Sequence, residues 1–203
     1  MKTLIITDVQ HDFMPGSVLG APHANEIVPI INRIIPHFDH VIATLDWHPE
    51  NHVSFADAHG AKVGDVRRVG GREQILWPVH CVQNSHGAHF AKGLHTEKIE
   101  VVFHKGVDAN VDSYSAFFDA ARHRATGLEA YLEKHNLWKL YFVGLATDYC
   151  ILYSVLDALE LGFDVTVIRD ACRAIDLHKG DGERAMETMR SKGAKLVDSG
   201  EAI

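Results

Sequence analysis

The chain has 203 residues, 46% of them hydrophobic and 23% charged, enough for one compact core and ordinary for a globular protein. Twenty Lys and Arg against 27 Asp and Glu give a net charge of -7, which argues against nucleic acid or an anionic membrane as partner. No apolar run approaches the ~20 residues of a membrane helix, Asp8 follows too soon for a signal peptide, and three cysteines are too few for a disulfide framework, so a soluble cytoplasmic protein is expected.

In chain order, residues 4–6 form a short β-branched apolar run, read as a strand buried on both faces and ending at Asp8. Ile27, Ile30, Ile31, Ile34 and Ile35 recur with helical spacing, with Asn25 as the expected cap and Pro29 tolerated near the first turn. Residues 41–45 are the second strand, ending at Asp46. From 47 to about 98 the chain is rich in Gly, His, Pro and Asn and shows little periodicity, a length usually functional inside a compact domain. Residues 99–104 are the third strand and deliver Lys105. A helix is expected over 115–124, and Thr126-Gly127-Leu128-Glu129 has capping-box spacing before a short helix ending near His135.

Residues 140–143 are the fourth strand. It runs through Gly144-Leu145-Ala146-Thr147-Asp148-Tyr149-Cys150 into a helix striped by Leu152, Val155, Leu156 and Leu159 and stopped by Gly162. A fifth strand (165–168), a helix (181–191) and a short sixth strand (194–197) complete the pattern. Strands alternating with helices predict an α/β fold: a three-layer α-β-α sandwich around a doubly wound, mainly parallel six-stranded sheet, in one domain over 1–203.

In such a sheet ligands sit beyond the carboxyl ends of the strands. The first four strands place Asp8, Asp46, Lys105 and Cys150 there. A cysteine at a strand-to-helix turn is biased toward thiolate, although most free cysteines are small buried apolar residues. With Lys105 to stabilise the thiolate and Asp8 to move a proton, the three form a coherent nucleophilic group. For Lys105 and Asp8 the plainer alternative is an ion pair at the sheet edge. Asp46 and His48, two apart in extended chain, lie on one side and can reach one ion with His80 as a third ligand; open positions suit a catalytic metal. His52 and Ser54 are near enough to add a ligand or orient water, and Cys81 reads as a core thiol. Fifteen histidines raise the odds of a metal site without locating one. Phe13, Trp77 and Tyr114 fall in loops beyond the strand ends and could sandwich a planar ring or simply pack beneath those loops. There is no Walker or Rossmann fingerprint.

Six ordered motifs together resemble the nicotinamidase (pyrazinamidase) branch of the isochorismatase-like hydrolases: Asp8-Val9-Gln10-His11-Asp12-Phe13, Asp46-Trp47-His48-Pro49, Trp77-Pro78-Val79-His80-Cys81, His104-Lys105-Gly106, Asp112-Ser113-Tyr114-Ser115-Ala116-Phe117 and 144–150. His11 stands where the family more often has Asn. The resemblance implies a cysteine hydrolase with Asp8, Lys105 and Cys150 as catalytic residues. It implies Asp46, His48 and His80 as ligands of one divalent ion (zinc, iron or manganese) that holds a pyridine nitrogen directly or through water. Phe13 and Trp77, with Tyr114, would line the ring. A cis peptide at Leu145-Ala146 would aim the Ala146 N–H, with that of Cys150, at an oxyanion. The implied partner is a small molecule, nicotinamide, with neither nucleic acid nor membrane; a homo-oligomer is compatible with this reading. The rivals are a metal-independent carbamoyl or ureido amidohydrolase sharing the three catalytic residues, and a metal-binding thiol-redox protein. An isochorismatase proper does not use the cysteine.

Overall fold

The structure is a computed structural model describing residues 1–203. Six parallel strands form one sheet in the order β5-β2-β1-β6-β7-β8: β1 (Thr3–Thr7), β2 (His40–Asp46), β5 (Val101–Lys105), β6 (Lys139–Leu145), β7 (Asp164–Arg173) and β8 (Lys195–Val197). The chain winds outward from β1 to β5, then returns to β1's other side with β6. The order therefore reverses between β1 and β6, and a crevice opens there at the carboxyl ends.

Alternation along β1 explains the layers. Leu4 and Ile6 face a cluster built with α1 (Ile27–Ile34), whereas Ile5 faces one built with α2 (Leu128–Lys134), α3 (Leu152–Glu160) and α4 (Asp181–Ser191). Every residue of β1 is buried, as a strand covered on both faces requires. A last short helix, α5 (Ser199–Ala202), packs on the α1 side, and no helix is long and apolar enough to cross a membrane.

The expected α-β-α architecture and all six strands are present; three local expectations are corrected. Residues 115–124 are not a helix. Ser115 Oγ accepts from Phe117 N (3.1 Å), Asp119 Oδ1 accepts from the N–H groups of Ala121 (2.9 Å) and His123 (3.0 Å), and these local bonds outcompete helical ones. Neither the Asn25 cap nor the capping box at Thr126 forms. Asn25 lies inside a short 3₁₀ turn, and Thr126 Oγ1 accepts from Leu128 N (3.1 Å) while Gly127 opens α2 without a capping box. Between 47 and 98 the chain is not wholly irregular: β3 (Val66–Val69) and β4 (Arg72–Ile75) pair antiparallel around Gly70-Gly71, both at positive φ as a two-residue hairpin turn requires. Their outward arginines and glutamate hid the alternation.

β6 and β7 slip out of step where the sheet meets the crevice: Phe142 pairs with Val167, but Gly144 pairs with Cys172. At Gly144 φ is +118°, and a Cβ would lie 2.0 Å from Thr7 O. Gly144→Ala should therefore cost about 3 kcal/mol and lower the melting temperature by roughly 6–12 °C in a scanning calorimeter; an unchanged melting temperature would contradict this packing.

Candidate active site

Sheet register brings the charged groups together. Asp46 and Lys105 are direct neighbours across β2 and β5, and Asp8 follows Thr7, whose partner on β2 is Thr44. Asp8 takes φ +50°, turning its side chain into the crevice, where Thr44 Oγ1 donates to its Oδ1 (2.7 Å). On the far side of the switch, Thr147–Ile151 form a wide π-type turn closed by Ile151 N donating to Ala146 O (3.0 Å), and this turn presents Cys150. The Leu145–Ala146 peptide is cis, and the Ala146 N–H makes no hydrogen bond within the protein.

Lys105 is the hub. Its Nζ lies 2.8 Å from Asp8 Oδ2, 2.5 Å from Asp46 Oδ1, 3.1 Å from Ser113 O and 3.3 Å from Cys150 Sγ. Asp8, Asp46, Lys105 and Cys150 are each at most 5% exposed. Burial lowers the lysine pKa, but the two carboxylates outweigh it and hold the ammonium well above its ordinary value. Burial raises the Asp46 carboxyl, yet Lys105 and His48 overcome this and hold it well below the usual range. Asp8 goes the other way: burial, helped by Asp46, raises it despite Lys105. Burial pushes the Cys150 thiol well up, and Lys105 does not compensate because Asp8 and Asp46 oppose it. The turn alone favours a lowered thiol pKa; burial, with Asp8 and Asp46 set against Lys105, shifts it the other way.

Asp46 turns its second oxygen to the histidines, with Oδ2 3.4 Å from His48 Nε2 and 3.7 Å from His80 Nε2. His48 Nδ1 pairs with Gly106 O (2.9 Å) and His80 Nδ1 with Pro78 O (2.7 Å). A carbonyl only accepts, so each Nδ1 carries a proton, and in the neutral tautomer each ring points its Nε2 lone pair at the carboxylate. Two lone pairs facing one anionic oxygen repel unless a cation lies between them. Donors about 2.1 Å from a tetrahedral ion lie about 3.4 Å apart, so the spacing fits a zinc-sized divalent cation. Burial lowers the His48 pKa, but Asp46 reverses this and leaves it raised. A glycine is required at 106, where φ is +63° and a Cβ would meet His48 Cε1 at 2.3 Å.

A second cluster of Asp8, Asp46 and Cys150 holds its ligand atoms within 4.8 Å of one another, but the Lys105 ammonium already fills it. Of the two expected auxiliary groups, Ser54 Oγ is committed to His52 Nδ1 (2.7 Å), whereas His52 Nε2 is buried without a partner. Burial and His48 push the His52 pKa down to about 4. Cys81 is a buried free thiol.

The aromatic residues line this centre. Phe13 packs edge-on to His80 (5.8 Å), and Trp77 Nε1 donates to Tyr114 Oη (2.9 Å). Tyr149, which sequence reasoning missed although it adjoins Cys150, meets Trp77 edge-on (4.9 Å) and Tyr114 at a tilt (5.4 Å). Gln74 was missed too. It is the one buried side chain of the hairpin, and its Nε2 donates to Asp112 Oδ2 (2.8 Å). A polar residue in an otherwise exposed ribbon was the only sign.

The Isochorismatase domain model matches residues 2–201. The nicotinamidase of Escherichia coli (strain K12) is 44% identical over 199 residues, covering 96% of this chain and 93% of its own. The solved Acinetobacter baumanii nicotinamidase/pyrazinamidase superposes with a TM-score of 0.96 at 39% identity, covering 100% of this chain and 98% of the other. The pyrazinamidase of Pyrococcus horikoshii in complex with zinc superposes with a TM-score of 0.79 at 37% identity, covering 97% and 98%. The chain belongs to the isochorismatase domain family.

Proposed function

We propose that this protein is a nicotinamidase, hydrolysing nicotinamide to nicotinate and ammonia through a thioester on Cys150 and also accepting pyrazinamide. The observation that carries the reading is Lys105 Nζ in contact with Asp8, Asp46 and Cys150, beside a histidine pair spaced for a divalent ion. Names of relatives that share both chain length and fold support it. A single domain over 1–203 and a cytoplasmic location accord with one six-stranded sheet drawn from both ends of the chain and with three unpaired cysteines. Nicotinate so formed would return to pyridine nucleotide synthesis.

Proton positions set the order of events. The Cys150 thiol and Asp8 both have raised pKa values, so the proton starts on sulfur and the carboxylate is basic enough to take it as attack proceeds. Sγ bonds to the carboxamide carbon, and the oxyanion is met by the Ala146 and Cys150 N–H groups; the former has no other acceptor. Asp8 gives the proton to the amide nitrogen, the C–N bond breaks and ammonia leaves. Water then adds to the thioester while losing a proton to Asp8. The C–S bond breaks, and Asp8 returns that proton to sulfur. Lys105 stays charged throughout and holds both carboxylates. Phe13, Trp77 and Tyr114 line the ring. Asp46, His48 and His80 would hold a divalent ion, whose Lewis acidity fixes the ring nitrogen directly or through water.

Cys150→Ala should lower ammonia release from nicotinamide by roughly 10³-fold or more. Turnover that survives the substitution would sink the thioester route, and activity confined to ureido substrates and indifferent to chelator would favour the metal-independent rival. In chelated protein, alkylation of Cys150 by iodoacetamide should climb with pH through 9 without levelling, because a raised thiol pKa leaves little thiolate below the ordinary 9.0. A plateau below pH 7 would mean a resting thiolate.

A further inference from the structure

The segment Asp8–Phe13 supplies more than one reactive group. Gln10 is wholly buried, and its carboxamide brackets the backbone of Asp46: Nε2 donates to Asp46 O (2.8 Å) and Oε1 accepts from Asp46 N (2.9 Å). β1 ends at Thr7, so at this level β2 has lost its neighbour, and the Gln10 side chain makes the pair of bonds a strand would have made. The second Nε2 hydrogen goes to Ala88 O (2.8 Å).

Two residues on, Asp12 Oδ2 accepts from the N–H of Cys81 (2.8 Å), the residue that follows His80. Cys81 is held at φ +45°, and its carbonyl accepts from His48 N (2.9 Å). Gly87 lies so close over Asp12 that a Cβ there would sit 2.0 Å from Oδ2, so the carboxylate has no room to swing away. One short turn thus grips the backbone of all three residues that face the cation position: Asp46 through Gln10, His80 through Asp12, and His48 through Cys81.

We propose that Gln10 and Asp12 are positioning residues for the metal. Touching neither ion nor substrate, they set the separation of Asp46, His48 and His80 and so the affinity and coordination geometry of the divalent cation. The inference rests on the reading of those three residues as its ligands. Each carboxamide or carboxylate fixes a ligand through its main chain rather than through the ring or carboxylate itself. This pins each ligand's main chain, while the side chains are oriented separately by Gly106 O, Pro78 O and Lys105. Loss of such outer partners costs metal sites about 10–100-fold in affinity.

The test is competition for zinc against a chromogenic chelator by the full-length apoprotein, with the visible spectrum of the cobalt-loaded form as a geometric readout and thermal melting alongside. Gln10→Met keeps the length and removes all three bonds; zinc should bind about 10–100-fold more weakly, with an altered cobalt spectrum. Asp12→Ala should do the same. Asp12→Asn, which retains an acceptor for the Cys81 N–H, should restore both towards wild type. If Gln10→Met does not fold, the Asp12 pair carries the test. Variants that melt earlier but bind zinc with wild-type affinity and show an unchanged cobalt spectrum would overturn the proposal and reduce both residues to structural ones. Wild-type protein that takes up no zinc would overturn the metal reading beneath it. Failure to hydrolyse nicotinamide, with zinc bound and the variant series behaving as stated, would fall on the proposed activity alone.

Discussion

A buried ammonium with four partners is the constraint on which the rest of this structure depends. Lys105 ends an edge strand, yet its Nζ reaches across β2 to the end of β1 and the turn after β6. Isolated, such a charge would be expelled or neutralised; removing one partner from a buried pair generally costs about 3–5 kcal/mol. The partners come from separate places in the chain, so their meeting requires the sheet register to be right on both sides of the switch. A slip of one residue in β2 or β5 would turn Asp46 or Lys105 to the opposite face. The sheet and the charge cluster therefore specify each other.

The same cluster separates the behaviour of two carboxylates of one kind. Asp46 meets Lys105 and His48 and is held ionised; Asp8 is more deeply enclosed, feels Asp46 as a like charge, and is raised. A ligand for a cation must stay anionic, and a proton shuttle must change state. On the proposed mechanism, the environment divides those tasks between Asp46 and Asp8 before any substrate arrives.

Much of this was legible in the sequence because parallel sheets write themselves plainly. Short apolar runs, each leading into a reactive residue at or just past its end, located β1, β2, β5 and β6. Six spaced motifs carried the likeness to one hydrolase branch, and Asp8, Lys105 and Cys150 do converge, as do Asp46, His48 and His80. What could not be read depends on partners distant in sequence. The helical spacing at 115–124 is real, but Ser115 and Asp119 spend the backbone N–H groups locally. The direction of the Cys150 thiol pKa could not be read either: the turn favours thiolate, while burial and two carboxylates placed only by the fold oppose it. The alternation Asp8, Gln10, Asp12 is visible on the page, yet only the structure says that the second and third reach Asp46 and Cys81.

Asp46 spends its two oxygens on different chemistries, Oδ1 on the lysine and Oδ2 on the histidines. The energetics of the two half-sites are therefore not separable at this residue. On the proposed reading, a substitution at 46 deletes a counter-ion and a metal ligand in one stroke. Changes at Lys105 and His80, though they share no direct contact, both act on this carboxylate, so their effects should couple rather than add. One side chain makes the Lys105–Cys150 half-site and the histidine half-site a single thermodynamic unit.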